Sequence, residues 1–65
     1  MLSFRDKCSL TIWDLCYKDW DCLTDQQFQT ANRCIDMLKQ HLSDNNETFS
    51  EEETDLYVEV LNYFN

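Results

Sequence analysis

The chain contains four cysteines and one histidine that could hold a metal ion. The cysteines are separated by seven, five and eleven residues (Cys8, Cys16, Cys22 and Cys34), and His41 follows them. Structural zinc sites usually contain closely spaced pairs such as Cys-x₂-Cys, so we expect no metal site. Free cysteines are often small buried apolar groups, and we expect all four to be unpaired thiols of that kind.

Catalytic and cofactor-binding motifs are not evident. A Cys–His nucleophile pair would need an orienting third group and a substrate cleft, for which a chain of 65 residues has little room. The acidic segment from Asp44 to Glu47 lacks the central glycine of a calcium loop. With no glycine in the chain, phosphate-cradling loops are excluded. We therefore expect no enzyme and no cofactor, and interpret His41 as a cation near a helix C-terminus or as an exposed side chain.

The acidic residues are concentrated at the C-terminal end. Residues 1–43 carry six acidic and five basic residues, whereas residues 44–65 carry seven acidic and no basic ones, and the whole chain has a net charge of −8. Direct nucleic-acid binding requires Lys and Arg, so we expect none. The complement of such a chain is a basic protein surface. On a predicted helix, Glu51, Glu52, Asp55 and Glu59 fall within an arc of about 100°. We interpret them as partner-binding residues; the alternative is a solvated face that maintains solubility.

A second set of candidate residues combines rings with carboxylates. Trp13, Tyr17 and Trp20 have the spacing of one helix face, which favours packing in the core. If part of this group is exposed, it becomes a docking site, because such sites are enriched in Trp and Tyr. The neighbouring carboxylates would then form its polar rim. The partner-binding candidates in this region are Trp20, Asp14, Asp19 and Asp21.

The elements that position these residues are predicted to be three helices. The absence of glycine and proline disfavours the tight turns of many-stranded folds. Capping patterns start helices at Ser3, Thr24 and Ser50, and the apolar periodicity predicts helices over 3–21, 25–42 and from 51 onward, with a polar loop over 43–48. The first helix should be the most buried; a short strand over 9–13 is the alternative there. The predicted fold is all-α, a single-domain antiparallel three-helix bundle over residues 1–65.

Two functions of different classes are consistent with these features. The first is a small inhibitor that imitates nucleic acid and blocks a basic nucleic-acid-binding surface, as a phage or mobile-element protein of the anti-CRISPR or anti-restriction kind would. The second is a structural or regulatory subunit, or a homodimeric adaptor, that docks through its aromatic face. The N-terminal residues carry charges instead of a signal-peptide pattern, and no apolar run is long enough to span a membrane. We therefore expect a cytoplasmic protein without membrane association.

Overall fold

Three helices form the chain in the computed structural model, which describes residues 3–64. Helix α1 spans Phe4–Tyr17, helix α2 spans Asp25–Asp44 and helix α3 spans Glu51–Tyr63, and a short 3₁₀ turn at Trp20–Cys22 lies between α1 and α2. No strand occurs among the described residues, so the alternative of a strand over 9–13 is wrong. The predicted all-α three-helix bundle is confirmed.

Two helices begin with complete capping boxes. At the start of α2, the Thr24 hydroxyl accepts the Gln27 N–H (3.1 Å) and the Gln27 side chain accepts the Thr24 N–H (3.0 Å). At the start of α3, the Ser50 hydroxyl accepts the Glu53 N–H (3.2 Å) and the Glu53 carboxylate accepts the Ser50 N–H (2.9 Å). Each box satisfies two backbone donors that would otherwise lack a partner, which fixes where the helix starts.

Removal of the α3 cap should weaken the fold measurably. We expect Ser50→Ala to lower the free energy of unfolding by about 1 kcal/mol, because the Glu53 N–H loses its acceptor. Urea unfolding followed by circular dichroism measures this loss. Ser43→Ala is the control, since Ser43 is exposed within α2 and caps no helix. Equal stability of the two variants would contradict the assigned role of Ser50.

Helix α1 ends earlier than the sequence predicts, at Tyr17 instead of near Asp21. Lys18 leaves the helix with an extended backbone (φ −71°, ψ 153°). The Asp19 carboxylate then accepts the Asp21 N–H at 3.0 Å and starts the 3₁₀ turn. The Asp19 side chain thus takes a backbone N–H that would otherwise donate within a helix. This local hydrogen bond ends α1, although the apolar pattern of the sequence continues.

Contacts at the helix ends show that neighbouring helices are antiparallel. Phe4, at the start of α1, lies against His41 near the end of α2, with ring centroids 6.2 Å apart. Trp20, which follows α1, stacks edge-on against Phe28 near the start of α2, at 5.1 Å. His41 also bonds Glu53, in the first turn of α3. The chain therefore runs up, down and up again.

Helix α2 is the most buried element, so the prediction that α1 would be is wrong. Helix α2 packs against both α1 and α3, whereas α1 contributes only Cys8 and Leu15 to the fully buried core among the described residues. Because α2 lies between the other two helices, it is covered on two sides. Its buried residues are Ala31, Cys34, Ile35, Leu38 and His41. Within residues 3–64, no helix is long and apolar enough to cross a membrane.

Candidate interaction surfaces

Four carboxylates line the outer side of α3. Glu51, Glu52, Asp55 and Glu59, which we call the acidic face, are all exposed and all lie on this helix. The residues that α3 turns toward the bundle, among them the fully buried Val60, lie on its opposite side. The periodicity of one well-capped helix is therefore sufficient to bring the four acids together.

Intramolecular ion pairs leave the acidic face free. Two such pairs form among residues 3–64, Asp14 with Lys18 (3.8 Å) and Glu53 with His41 (2.7 Å). In that part of the chain, no Lys, Arg or His nitrogen lies within 4.0 Å of a carboxylate oxygen of the acidic face. The negative charge of this face is therefore available to a partner.

An open groove of about 520 Å³ runs beside the acidic face. Val58, an apolar residue that is 49% exposed, lies at the edge of the acidic face and also lines this groove. Tyr63 also lines the groove, and burial raises the pKa of its hydroxyl. The face therefore offers apolar as well as charged surface. The lining residues are Gln27, Asp55, Val58, Glu59, Asn62 and Tyr63.

The second set of predicted partner residues lies elsewhere. Asp14 is on α1, Asp19 caps the 3₁₀ turn and Asp21 lies within it, so the three do not share an element with the acidic face. Their carboxylates are exposed, but Asp14 is paired with Lys18 and Asp19 caps the turn. Partner binding by these three acids stays a prediction.

Trp20 is held by its own chain. It is half-buried, and its indole N–H donates to the Leu15 carbonyl at 2.7 Å. Its ring contacts Phe28 and Phe64, with centroids 5.1 and 6.4 Å away. These contacts join the ends of the three helices at one end of the bundle. A role for Trp20 in partner binding remains a prediction beside this structural one.

The other two rings of the predicted aromatic face lie outside the core. Trp13 is 63% exposed and Tyr17 is 74% exposed, so the interpretation that they pack in the core is wrong. The reason is geometric: α1 is apolar on two sides, and only the side of Cys8 and Leu15 meets the bundle.

His41 and Glu53 form a buried polar link between α2 and α3. His41 is 5% exposed, so the interpretation of His41 as an exposed side chain is wrong. Its Nδ1 is 2.9 Å from the Asn46 carbonyl oxygen and its Nε2 is 2.7 Å from Glu53 Oε2. A carbonyl and an ionised carboxylate can only accept, so when Glu53 is ionised both ring nitrogens donate in this geometry and the ring is an imidazolium. This charge lies in the last turn of α2, where the helix dipole favours it.

The pKa values of His41 and Glu53 both favour the charged form of the side chain. Burial lowers the pKa of His41, but the hydrogen bonds to Asn46 and Glu53 and the negative charges of Glu53 and Asp44 together raise it above its ordinary 6.5. The pKa of Glu53 is lowered from 4.5, first by the Ser50 N–H and then by the His41 hydrogen bond. The link is therefore strongest when Glu53 is ionised and His41 is protonated.

This link should make stability depend on pH. The His41 contribution is complete below its unfolded pKa of 6.5 and is lost as the pH rises through the higher folded value. The Glu53 contribution is present above 4.5 and is lost at lower pH. We expect the free energy of unfolding, measured with urea, to be higher at about pH 6 than at about pH 9. Equal free energies at the two pH values in the unmodified protein would contradict an imidazolium at His41.

The cysteines are free thiols in two environments. Cys8 and Cys34 are buried, and burial raises both thiol pKa values, that of Cys34 to about 11. Cys16 and Cys22 are exposed, so the expectation of buried thiols is wrong for these two. Within the described residues, no group of three His, Cys, Asp or Glu side chains could hold a metal ion.

Comparisons with known proteins give no relative from which a function could be transferred. No protein-family model, curated protein or solved structure matches the chain.

Sequence reasoning missed two features of these surfaces. Val58 was not recognised as part of the outer side of α3, although it lies three residues after Asp55 and one before Glu59. The His41–Glu53 link was missed as well. A signal for it was present, because His41 follows Leu38 by three residues on the apolar stripe of α2.

Proposed function

We propose that the protein binds a basic, nucleic-acid-binding surface of another protein through the acidic face of α3, and so keeps nucleic acid from that surface. The observation that supports this proposal is the exposure of Glu51, Glu52, Asp55 and Glu59 on one helix, with no ion pair to a basic side chain among residues 3–64. A surface that served solubility alone would ordinarily mix charges of both signs.

The spacing of the charges also supports imitation of a nucleic-acid strand. Glu51 and Glu59 are separated by eight residues, or about 12 Å along the helix axis. Four carboxylates over this length give roughly one charge per 4 Å. One strand of a DNA duplex carries one phosphate per ~3.4 Å of axis. Lys and Arg side chains that are spaced to bind phosphates can therefore also pair with carboxylates, because the two kinds of charge are similarly spaced along their axes.

Charge alone would not give tight binding, because exposed ion pairs contribute only about 0.2–1 kcal/mol each. Val58 and the adjacent groove supply apolar surface that a partner can bury. In the complex, the carboxylates would speed the encounter and set the orientation, while Val58 and Tyr63 would be covered.

An inhibitor is the specific form of this proposal. A nuclease or surveillance complex that holds nucleic acid in a basic channel would lose access to its substrate once the acidic face occupies the channel. Inhibition of the anti-CRISPR or anti-restriction kind belongs to this class.

Affinity capture tests the proposal. The unmodified chain and a variant with Glu51→Gln, Glu52→Gln, Asp55→Asn and Glu59→Gln serve as paired baits in a cell lysate, and mass spectrometry identifies the retained proteins. The proposal predicts that nucleic-acid-binding proteins are retained by the unmodified chain and lost with the variant. Identical sets of proteins on both baits would overturn it.

A further inference from the structure

Helix α1 has a second apolar side that the bundle does not cover. Leu10, Trp13 and Tyr17 recur at i, i+3 and i+7, which places them on one face, and they are 48%, 63% and 74% exposed. The rings of Trp13 and Tyr17 meet edge to face, with centroids 5.1 Å apart. We call these three residues the outer stripe. At about 100° per residue they lie opposite Cys8 and Leu15, the residues that α1 buries.

The outer stripe is a large apolar surface for so small a chain. A buried aromatic side chain covers about 150–250 Å², so Trp13 and Tyr17 expose roughly 300 Å² at their observed fractions, and Leu10 brings the total to roughly 400 Å². A surface helix ordinarily presents polar residues to water, so a second apolar side that stays exposed marks an interaction surface. Trp and Tyr are also the side chains most enriched where binding energy is concentrated.

We propose that a second copy of this chain covers the outer stripe, so that two α1 helices pack against each other. Residues 3–18 carry a net charge of +1, whereas residues 19–64 carry −9. Charge repulsion between two copies is therefore weak where two α1 helices meet and strong where two α3 helices meet. A basic partner, in contrast, is drawn to α3 and gains little at α1.

The charges along α1 favour an antiparallel pair. The N-terminal part of the segment has a net charge of +1 and the C-terminal part, with the turn that follows, has −2. Antiparallel packing places each positive end beside the negative end of the other copy, twice per dimer. The residues concerned are Arg5, Asp6 and Lys7 at one end, and Asp14, Lys18, Asp19 and Asp21 at the other. Arg5 keeps its charge although it donates to the neutral Leu42 carbonyl and Asn45 side chain.

The expected dimer is weak and does not depend on the proposed function. Two outer stripes bury roughly 800 Å², less than the ~1,200–2,000 Å² of a standard stable interface, so we expect a weak dimer that forms only as the concentration rises. The acidic faces belong to another helix and stay exposed in the dimer. A dimer would therefore present two of them to a partner with clustered basic sites.

Sedimentation equilibrium of the full chain tests this inference, at concentrations from about 5 to about 500 µM, a range wide enough to detect a weak dimer. We expect a monomer–dimer equilibrium, weakened at least tenfold by Trp13→Ser with Tyr17→Ser. Val58→Ser is the matched control, because it removes a comparably exposed apolar residue from α3. It should leave the dimer unchanged. Thermal unfolding followed by circular dichroism serves as the control that both variants are folded.

Three outcomes would overturn the inference. They are a chain that stays monomeric throughout this range, a dimer indifferent to the changes at Trp13 and Tyr17, and a dimer weakened equally by Val58→Ser. If a monomeric chain bound its captured partner less tightly after the changes at Trp13 and Tyr17, the outer stripe would belong to that partner. If the acidic-face variant captured the same proteins as the unmodified chain, the proposed function would be wrong but the dimer would be unaffected. The two proposals can therefore be rejected separately.

Discussion

Conversion of the acidic face to amides should weaken binding to the basic partner roughly 50-fold, because four exposed ion pairs at about 0.6 kcal/mol each are lost together. The variant carries Glu51→Gln, Glu52→Gln, Asp55→Asn and Glu59→Gln. The loss should shrink as salt is added, since ~0.15 M salt already screens charges beyond about 8 Å. Isothermal titration calorimetry at two salt concentrations measures both effects.

Two matched double variants distinguish the effect of where the charges lie from the effect of the total net charge. Asp55→Asn with Glu59→Gln removes two charges from the acidic face, and Asp36→Asn with Glu47→Gln removes two exposed charges elsewhere. The first pair also spares Glu51 and Glu52, which stabilise the first turn of α3 through the helix dipole. We expect weaker binding only with the first pair. Equal losses would mean that net charge, and not the arrangement on α3, determines binding.

His41→Ala should be among the most destabilising single changes in the chain. The ring is buried, makes two hydrogen bonds and contacts Phe49 edge-on at 4.8 Å. Removal of a buried, hydrogen-bonded charge with its packing should cost about 3 kcal/mol. A chain of this length has a total stability of only ~3–10 kcal/mol. Urea unfolding at about pH 6, where the imidazolium contribution is complete, measures the loss.

The pH dependence distinguishes loss of the charge from loss of packing. In His41→Ala, the fall in stability between about pH 6 and pH 9 should largely disappear, because no imidazolium remains to lose its proton. Glu53→Gln should show a smaller loss, since its side chain is 34% exposed and water can replace part of the bond. If His41→Ala kept the full pH dependence, the charged link between His41 and Glu53 would be wrong.

Local signals in the sequence predicted the helices well. Thr24 with Gln27 and Ser50 with Glu53 form the boxes that their spacing indicates, because capping depends on residues three positions apart and on nothing distant. The outward position of the acidic face follows in the same way from the periodicity of α3. The end of α1 was misjudged, because a competing cap at Asp19 outweighs a continuing apolar pattern.

The tertiary contacts could not be predicted from local patterns in the sequence. A helix that is apolar on two sides does not reveal which side the bundle covers, so the exposure of Trp13 and Tyr17 depends on how α1 packs against α2. The His41–Glu53 link joins residues twelve apart across a loop, and the left-handed backbone at Asn45 (φ 56°) redirects the chain between them. Periodicity within α2 indicates that His41 faces the bundle, but it contains no information about the partner of His41 on α3.

Competition with nucleic acid for one surface tests the central claim most directly. A fluorescent DNA duplex of roughly 20 base pairs, about two helical turns at ~3.4 Å per base pair, is bound to the captured partner, and the unmodified chain is titrated in while anisotropy and complex mass are recorded. The predicted result is release of the duplex as the chain binds, with no release by the acidic-face variant. A ternary complex that retains the duplex at saturating chain would contradict the account.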